Sequence, residues 1–177
     1  MNVLQEIQRA ASERGLRFLL IGGWAVIQHG CSRVTADLDL LVLRADQQKW
    51  RELLTGLGYE CFSESEGFQQ YKKSGNQDWP LDLMLVNQET FDGMLAASAP
   101  ATVQDAVVSL VSLEHLIALK LHVLKQGRLH RFLKDFEDVV ELVRINHLDL
   151  QSAPLRALFI RYGTADLYEK IRRAVER

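Results

Sequence analysis

Residues 37 to 43, Asp37-Leu38-Asp39-Leu40-Leu41-Val42-Leu43, alternate acid with leucine and then turn continuously apolar. Successive side chains of a strand point to opposite faces, so this is a strand with one end exposed and the rest inside a sheet. Such a strand needs others beside it. Leu81-Asp82-Leu83-Met84-Leu85-Val86 repeats the design, acidic near its start and apolar afterwards. Arg17 to Ile21 is a short apolar run ended by Gly22-Gly23, which reads as a buried strand entering a tight turn. Tyr59 to Phe62 and Phe68 to Tyr71 read as two strands around a polar turn, and Val107 to Val111 as an edge strand.

Helical periodicity fills the intervals. Leu4, Ile7, Ala10 and Ala11 recur at helix spacing, and Gly15 follows where a left-handed C-cap falls. Trp24 to His29 forms a short helix closed by Gly30. Asp46 is placed to cap a helix whose inner face carries Trp50, Leu53, Leu54 and Leu57. Beyond Pro100 the character changes: Ser112 caps a helix bearing Leu116, Ile117, Leu121 and Leu124, Gly127 breaks it, and further helices run from about Leu129 to Ile145 and from about Ala165 to Val175. The expected class is α+β: a mixed sheet with flanking helices over residues 1–110, followed by a C-terminal helical bundle over 111–177.

The 177 residues are 47% hydrophobic and 25% charged, with a formal charge of −2. That balance exerts no global pull on polyanions. No apolar run approaches the roughly 20 residues that span a bilayer, and Arg9, Glu13 and Arg14 interrupt any leader core near the start. Cys31 and Cys61 lack the spacing of a zinc or redox motif, so reduced thiols in a cytoplasmic protein without a membrane role are expected. Basic residues gather at Lys120, Lys125, Arg128, Arg131 and Lys134, interleaved with acids as on a solvated helix face.

Residues i and i+2 of a strand share a face, so Asp37 and Asp39 project together. Two adjacent carboxylates repel unless a cation joins them, and Mg²⁺ prefers carboxylate and phosphate oxygens. Asp82 on a neighbouring strand is placed to add a third ligand, which makes one or two ions accommodable. Gly22-Gly23, between a strand and a helix, offers main-chain N–H groups to an anion without a Cβ in the way.

These residues carry a resemblance. Ile21-Gly22-Gly23, thirteen further residues, Asp37-Leu38-Asp39-Leu40 and a later Leu81-Asp82-Leu83 resemble the signature of the DNA polymerase β-like nucleotidyltransferase superfamily. Gly22-Gly23-Trp24-Ala25-Val26 with Arg33-x-Thr35-x-Asp37-Leu38-Asp39 is similar to the bacterial branch holding AbiEii-type toxins and the aminoglycoside and lincosamide nucleotidyltransferases. Leu116-Ile117-Ala118-Leu119-Lys120-Leu121-His122, then Arg131 and Lys134-Asp135-Phe136-Glu137-Asp138, resemble the K-L-x-A and R/K-D-x-x-D-L motifs of AbiEii-like proteins. The resemblance covers nearly all of the chain up to about residue 145.

The resemblance implies that Gly22 and Gly23 hold the triphosphate of an NTP, that Asp37 and Asp39 ligate Mg²⁺, and that Asp82 serves as base or second-metal ligand. It implies a phosphate contact for Lys120, a cleft-facing acid at Asp135, and loop support or phosphate contact for Arg33 and Thr35. The expected activity is transfer of NMP to an acceptor hydroxyl, toxin-like on RNA, with a cognate antitoxin as the expected partner. Alternatives are a catalytically silent nucleotide-binding partner protein, or an enzyme that modifies a protein or a small-molecule antibiotic. Thr35-Ala36-Asp37 lacks the longer, more basic approach of the antibiotic-modifying branch, which points away from the last of these.

Overall fold

The computed structural model describes residues 2–73, 79–127 and 129–176, without the side chains of residues 129–131. Arg128 and the side chain of Arg131, named above, therefore lie outside the described residues. The chain divides into two compact units, residues 1–28 with 34–112, and residues 29–33 with 113–177.

The first unit is built on seven strands: β1 (Phe18–Leu20), β2 (Leu38–Leu43), β3 (Tyr59–Ser65), β4 (Phe68–Lys73), β5 (Leu81–Val86), β6 (Ala99–Val103) and β7 (Ala106–Leu110). They form one mixed sheet in the order β3-β4-β5-β2-β1-β7-β6. β2 runs parallel to β5 and antiparallel to β1, and β1 runs parallel to β7. The apolar core of β2 is buried from Leu38 to Val42, as its unbroken hydrophobic run requires.

The sheet extends further at one end than the sequence suggests. Residues 106–110 form an interior strand between β1 and β6, not an edge, because β6 pairs outside them. Pro100 concealed β6 from pattern reading. A proline is tolerated there because β6 ends the sheet and has one neighbour. Gln104 and Asp105, both at positive φ (47° and 61°), make the two-residue turn between the strands, where hairpin twist favours such angles.

Four helices belong to this unit: α1 (Val3–Glu13), α2 (Gly22–Gln28), α3 (Gln47–Gly56) and α4 (Gln88–Ala96). α1 buries Leu4, Ile7 and Ala11 and is closed by a capping box between Asn2 and Gln5. α3 buries Trp50, Leu53 and Leu54, with Phe18 edge-on to Trp50 at 5.9 Å. Asp46 does not cap it: its side chain makes no cap bond and instead accepts from Lys49 Nζ at 2.7 Å. A lysine one turn along outcompetes the backbone N–H for an exposed carboxylate.

The second unit holds α5 (Leu113–Lys125), α6 (Leu129–Ile145), α7 (Ala153–Tyr162) and α8 (Ala165–Val175). α7 escaped the sequence reading because only Leu155 and Phe159 of its ten residues are buried, too few to show a period. Its start is set by Pro154 in the first turn, where a missing N–H costs nothing. Phe159 meets Tyr168 edge-on at 6.0 Å, and the Tyr168 hydroxyl donates to the Leu150 carbonyl at 2.9 Å. Residues 29–33 are fastened to these helices: Asn146 Nδ2 donates to the His29 carbonyl at 3.0 Å. No helix among the described residues is long and apolar enough to cross a membrane.

Candidate active site

The glycine turn and Asp39 meet in the first unit. Gly22 opens α2 at φ +62°, a backbone angle that L side chains rarely adopt. A Cβ placed on Gly22 would lie 1.9 Å from Asp39 Oδ2. The glycine is therefore required twice, by its backbone angle and by the Asp39 carboxylate packed against it. The turn is held in place by the strand ladder, since Ile21 N–H donates to the Asp39 carbonyl at 3.1 Å. Gly23 is buried behind it.

Asp82 reaches the same place from β5. Its residue is paired in register with Asp39 on the parallel neighbour, so both side chains leave one face of the sheet. Asp37 lies two residues before Asp39, at the entry to β2. Asp39 is buried at 7% exposure, whereas Asp37 and Asp82 are half-buried. Thr35 Oγ1 donates to Asp37 Oδ1 at 2.7 Å, and Gln70 Nε2 donates to both oxygens of Asp82 at 3.2 Å. Gln70 faces Asp82 across the antiparallel β4–β5 ladder. Sequence reasoning missed this residue because cross-strand register is not written in a local pattern.

Carboxylate oxygens are the donors a hard dication takes, and a glycine without a Cβ leaves room beside them. The donor chemistry at Asp37, Asp39 and Asp82 thus suits Mg²⁺. Among the described residues, however, no three His, Cys, Asp or Glu side chains converge as a ready cage. The bonds from Thr35 and Gln70 are the ones a bound cation would exchange.

Arg33, Lys120 and Asp135 lie together in the second unit. Lys120, at 6% exposure, directs its Nζ to Asp135 Oδ1 at 2.9 Å and to Asp138 Oδ2 at 2.6 Å. Arg33 Nη1 meets the same Asp138 oxygen at 2.5 Å. Asp138, the last acid of the motif quoted above, is the hub that pattern reading left without a role. Cys31 sits beside this cluster; burial foremost, then the Asp138 and Glu141 carboxylates, push its thiol pKa up.

A family model described as uncharacterised nucleotidyltransferase matches residues 1–177. No curated protein matches the chain. Among solved structures, the antibiotic-resistance factor ANT(2'')-Ia aligns with a TM-score of 0.68 at 17% identity, over 95% of this chain and 92% of that one. A lincosamide antibiotic adenylyltransferase with lincomycin bound aligns at 0.56 and 18% identity, over 78% and 93%. A nucleotidyltransferase-like protein from Paracoccidioides brasiliensis aligns at 0.61 and 16%, over 98% and 90%. At such identities the likeness is one of fold.

Proposed function

This chain belongs to the family of uncharacterised nucleotidyltransferases, and from that premise we propose that it transfers NMP from an NTP to an acceptor hydroxyl in the cytoplasm. The acceptor oxygen attacks the α-phosphorus, the bond to the bridging oxygen breaks, and pyrophosphate leaves. Gly22 and Gly23 receive the triphosphate on their main chain, and Asp82 takes the hydroxyl proton. Asp37 and Asp39, with Asp82, would hold Mg²⁺. The ion supplies charge neutralisation on the phosphate oxygens and the leaving pyrophosphate. The single observation that carries this reading is the contact of Asp39 with Gly22, which sets one of the acids against the phosphate turn.

As acceptor we place RNA first, in the manner of AbiEii-like toxins with a cognate antitoxin. The second unit supports this: it carries thirteen basic and nine acidic residues, an excess that draws a polyanion. The two thiols, both free, accord with a reducing compartment. The test is a pyrophosphate-release screen over the four NTPs and bulk tRNA, protein and aminoglycoside acceptors. Asp39→Asn should lower transfer by about 10³-fold or more with the fold retained. Full activity in that variant would remove Asp39 from the chemistry.

A second reading, a nucleotide-binding partner without turnover, is favoured by the bonds from Thr35 and Gln70 that already occupy Asp37 and Asp82. Calorimetric NTP binding with no transfer to any acceptor would select it.

A further inference from the structure

Trp24 directly follows the glycine turn, and Trp79 stands three residues ahead of Asp82. Their ring centroids lie 5.0 Å apart with the planes tilted by 33°. Leu38 N–H donates to the Pro80 carbonyl at 2.9 Å, so the segment bearing Trp79 is tied to the start of the acid-bearing strand. Both indoles are half-buried, whereas Trp50, the third tryptophan, is fully enclosed in the core. The indole N–H groups do not separate the two cases, since Nε1 of Trp24 and of Trp50 both lack an acceptor. Residue exposure and pairing do: two half-buried indoles are set against each other next to the phosphate turn in sequence and tied to the acid-bearing strand, an arrangement with a flat apolar surface of a base's size.

We propose that the Trp24–Trp79 pair is the stacking platform for the base of the incoming NTP, an inference that rests on the nucleotidyl-transfer reading above. A nucleotide whose phosphates lie on residues 22 and 23 carries its base one sugar away, and the next residue of the chain is Trp24. Every base has a π-face, so a stacking platform tolerates all four and reads none by hydrogen bonds. Weak base selectivity follows, with purines bound more tightly than pyrimidines because they cover more ring area.

The experiment compares NTPs with inorganic tripolyphosphate, which shares the phosphates and lacks the base. With Mg²⁺ present, ATP should quench the tryptophan fluorescence of the wild-type protein and tripolyphosphate should not. Trp79→Ala should weaken ATP about tenfold or more by calorimetry while leaving tripolyphosphate affinity unchanged, and Trp79→Phe should restore most of the loss. If Trp79→Ala fails to fold, Trp79→Leu, apolar but not aromatic, carries the same comparison with Phe. Unchanged ATP affinity in a folded, non-aromatic variant overturns the platform and leaves the transfer reading standing. A wild-type protein that binds neither ATP nor tripolyphosphate overturns the transfer reading itself, and the platform with it.

Discussion

The two units handle charge in opposite ways. The sheet unit holds fourteen acidic and eight basic residues, the helical unit nine and thirteen. A net charge near zero thus conceals two opposed fields. In the helical unit the buried charges neutralise one another within 2.9 Å: two cations, Arg33 and Lys120, against two carboxylates, Asp135 and Asp138. In the sheet unit strand register sets Asp39 and Asp82 on one face, and Asp39, Asp37 and Asp82 are set against a glycine, a hydroxyl and an amide in turn. The contrast teaches that burial alone does not mark a catalytic charge. A buried ion pair is closed chemistry, whereas an acidic cluster in an acidic unit is where an external cation has most to contribute.

Changing the sheet unit at its contact point should have the largest effect. Gly22→Ala drives a Cβ into the Asp39 carboxylate and should cut transfer by about 10²-fold, as misplacement of a reacting group by about 1 Å does. Gly15→Ala is the control. It meets nothing within 4 Å at a similar φ of +65°, so it should cost stability alone, about 1 kcal/mol. Equal activity in the two variants would break the comparison.

Lys120→Met should cost the helical unit about 3–5 kcal/mol in chemical denaturation, because two buried carboxylates then share one cation. Adding Asp135→Leu to it removes one of those carboxylates and should recover most of the loss. The double variant also sharpens the assignment: recovered stability with recovered transfer makes Lys120 and Asp135 structural, and recovered stability without transfer gives the pair a part in the chemistry.

A smaller effect should appear with pH in the sheet unit. Burial foremost pushes the Tyr71 pKa up to about 12. The unfolded phenol ionises near 10 while the folded one keeps its proton to about 12, so this contribution to stability is complete below pH 10 and is lost as pH rises towards 12. Tyr71→Phe should flatten that slope in denaturation curves, at a cost of about 1 kcal/mol for the hydroxyl bond to Gln69. An unchanged slope would assign the alkaline loss to other groups.

The smallest effect is kinetic. Cys31 is buried with its pKa raised and Cys61 is partly exposed, so a maleimide at pH 8 should label Cys61 first and Cys31 only on unfolding. Reversed order would show that the cluster beside Cys31 opens readily.

Much of the fold was legible because strand and helix periods are local. β2 and β5 declared themselves by acid-then-apolar runs, and Gly15 by its position one turn past an apolar face. β6 was hidden by Pro100 and α7 by its scarcity of buried positions, since both owe their existence to neighbours more than to their own pattern. The site followed the same division. Asp39 lies on β2, as the alternating run states outright, whereas the strand begins at Leu38 and leaves Asp37 one residue before it. That Gln70 holds Asp82, and that Asp138 meets Arg33 across 105 residues of chain as well as Lys120, are matters of register and packing.

By itself the sequence determined the chemistry on offer: a glycine pair, a D-x-D on a strand entering a sheet, a third acid, and a helical half with its own charges. Tertiary structure decided which of those charges are spent. It set Asp39 against Gly22, put Asp82 in step with Asp39, and enclosed Lys120 between two carboxylates. The physical reason is range: backbone periodicity acts over a few residues, whereas the neutralisation of a charge depends on whatever the fold brings within about 4 Å of it.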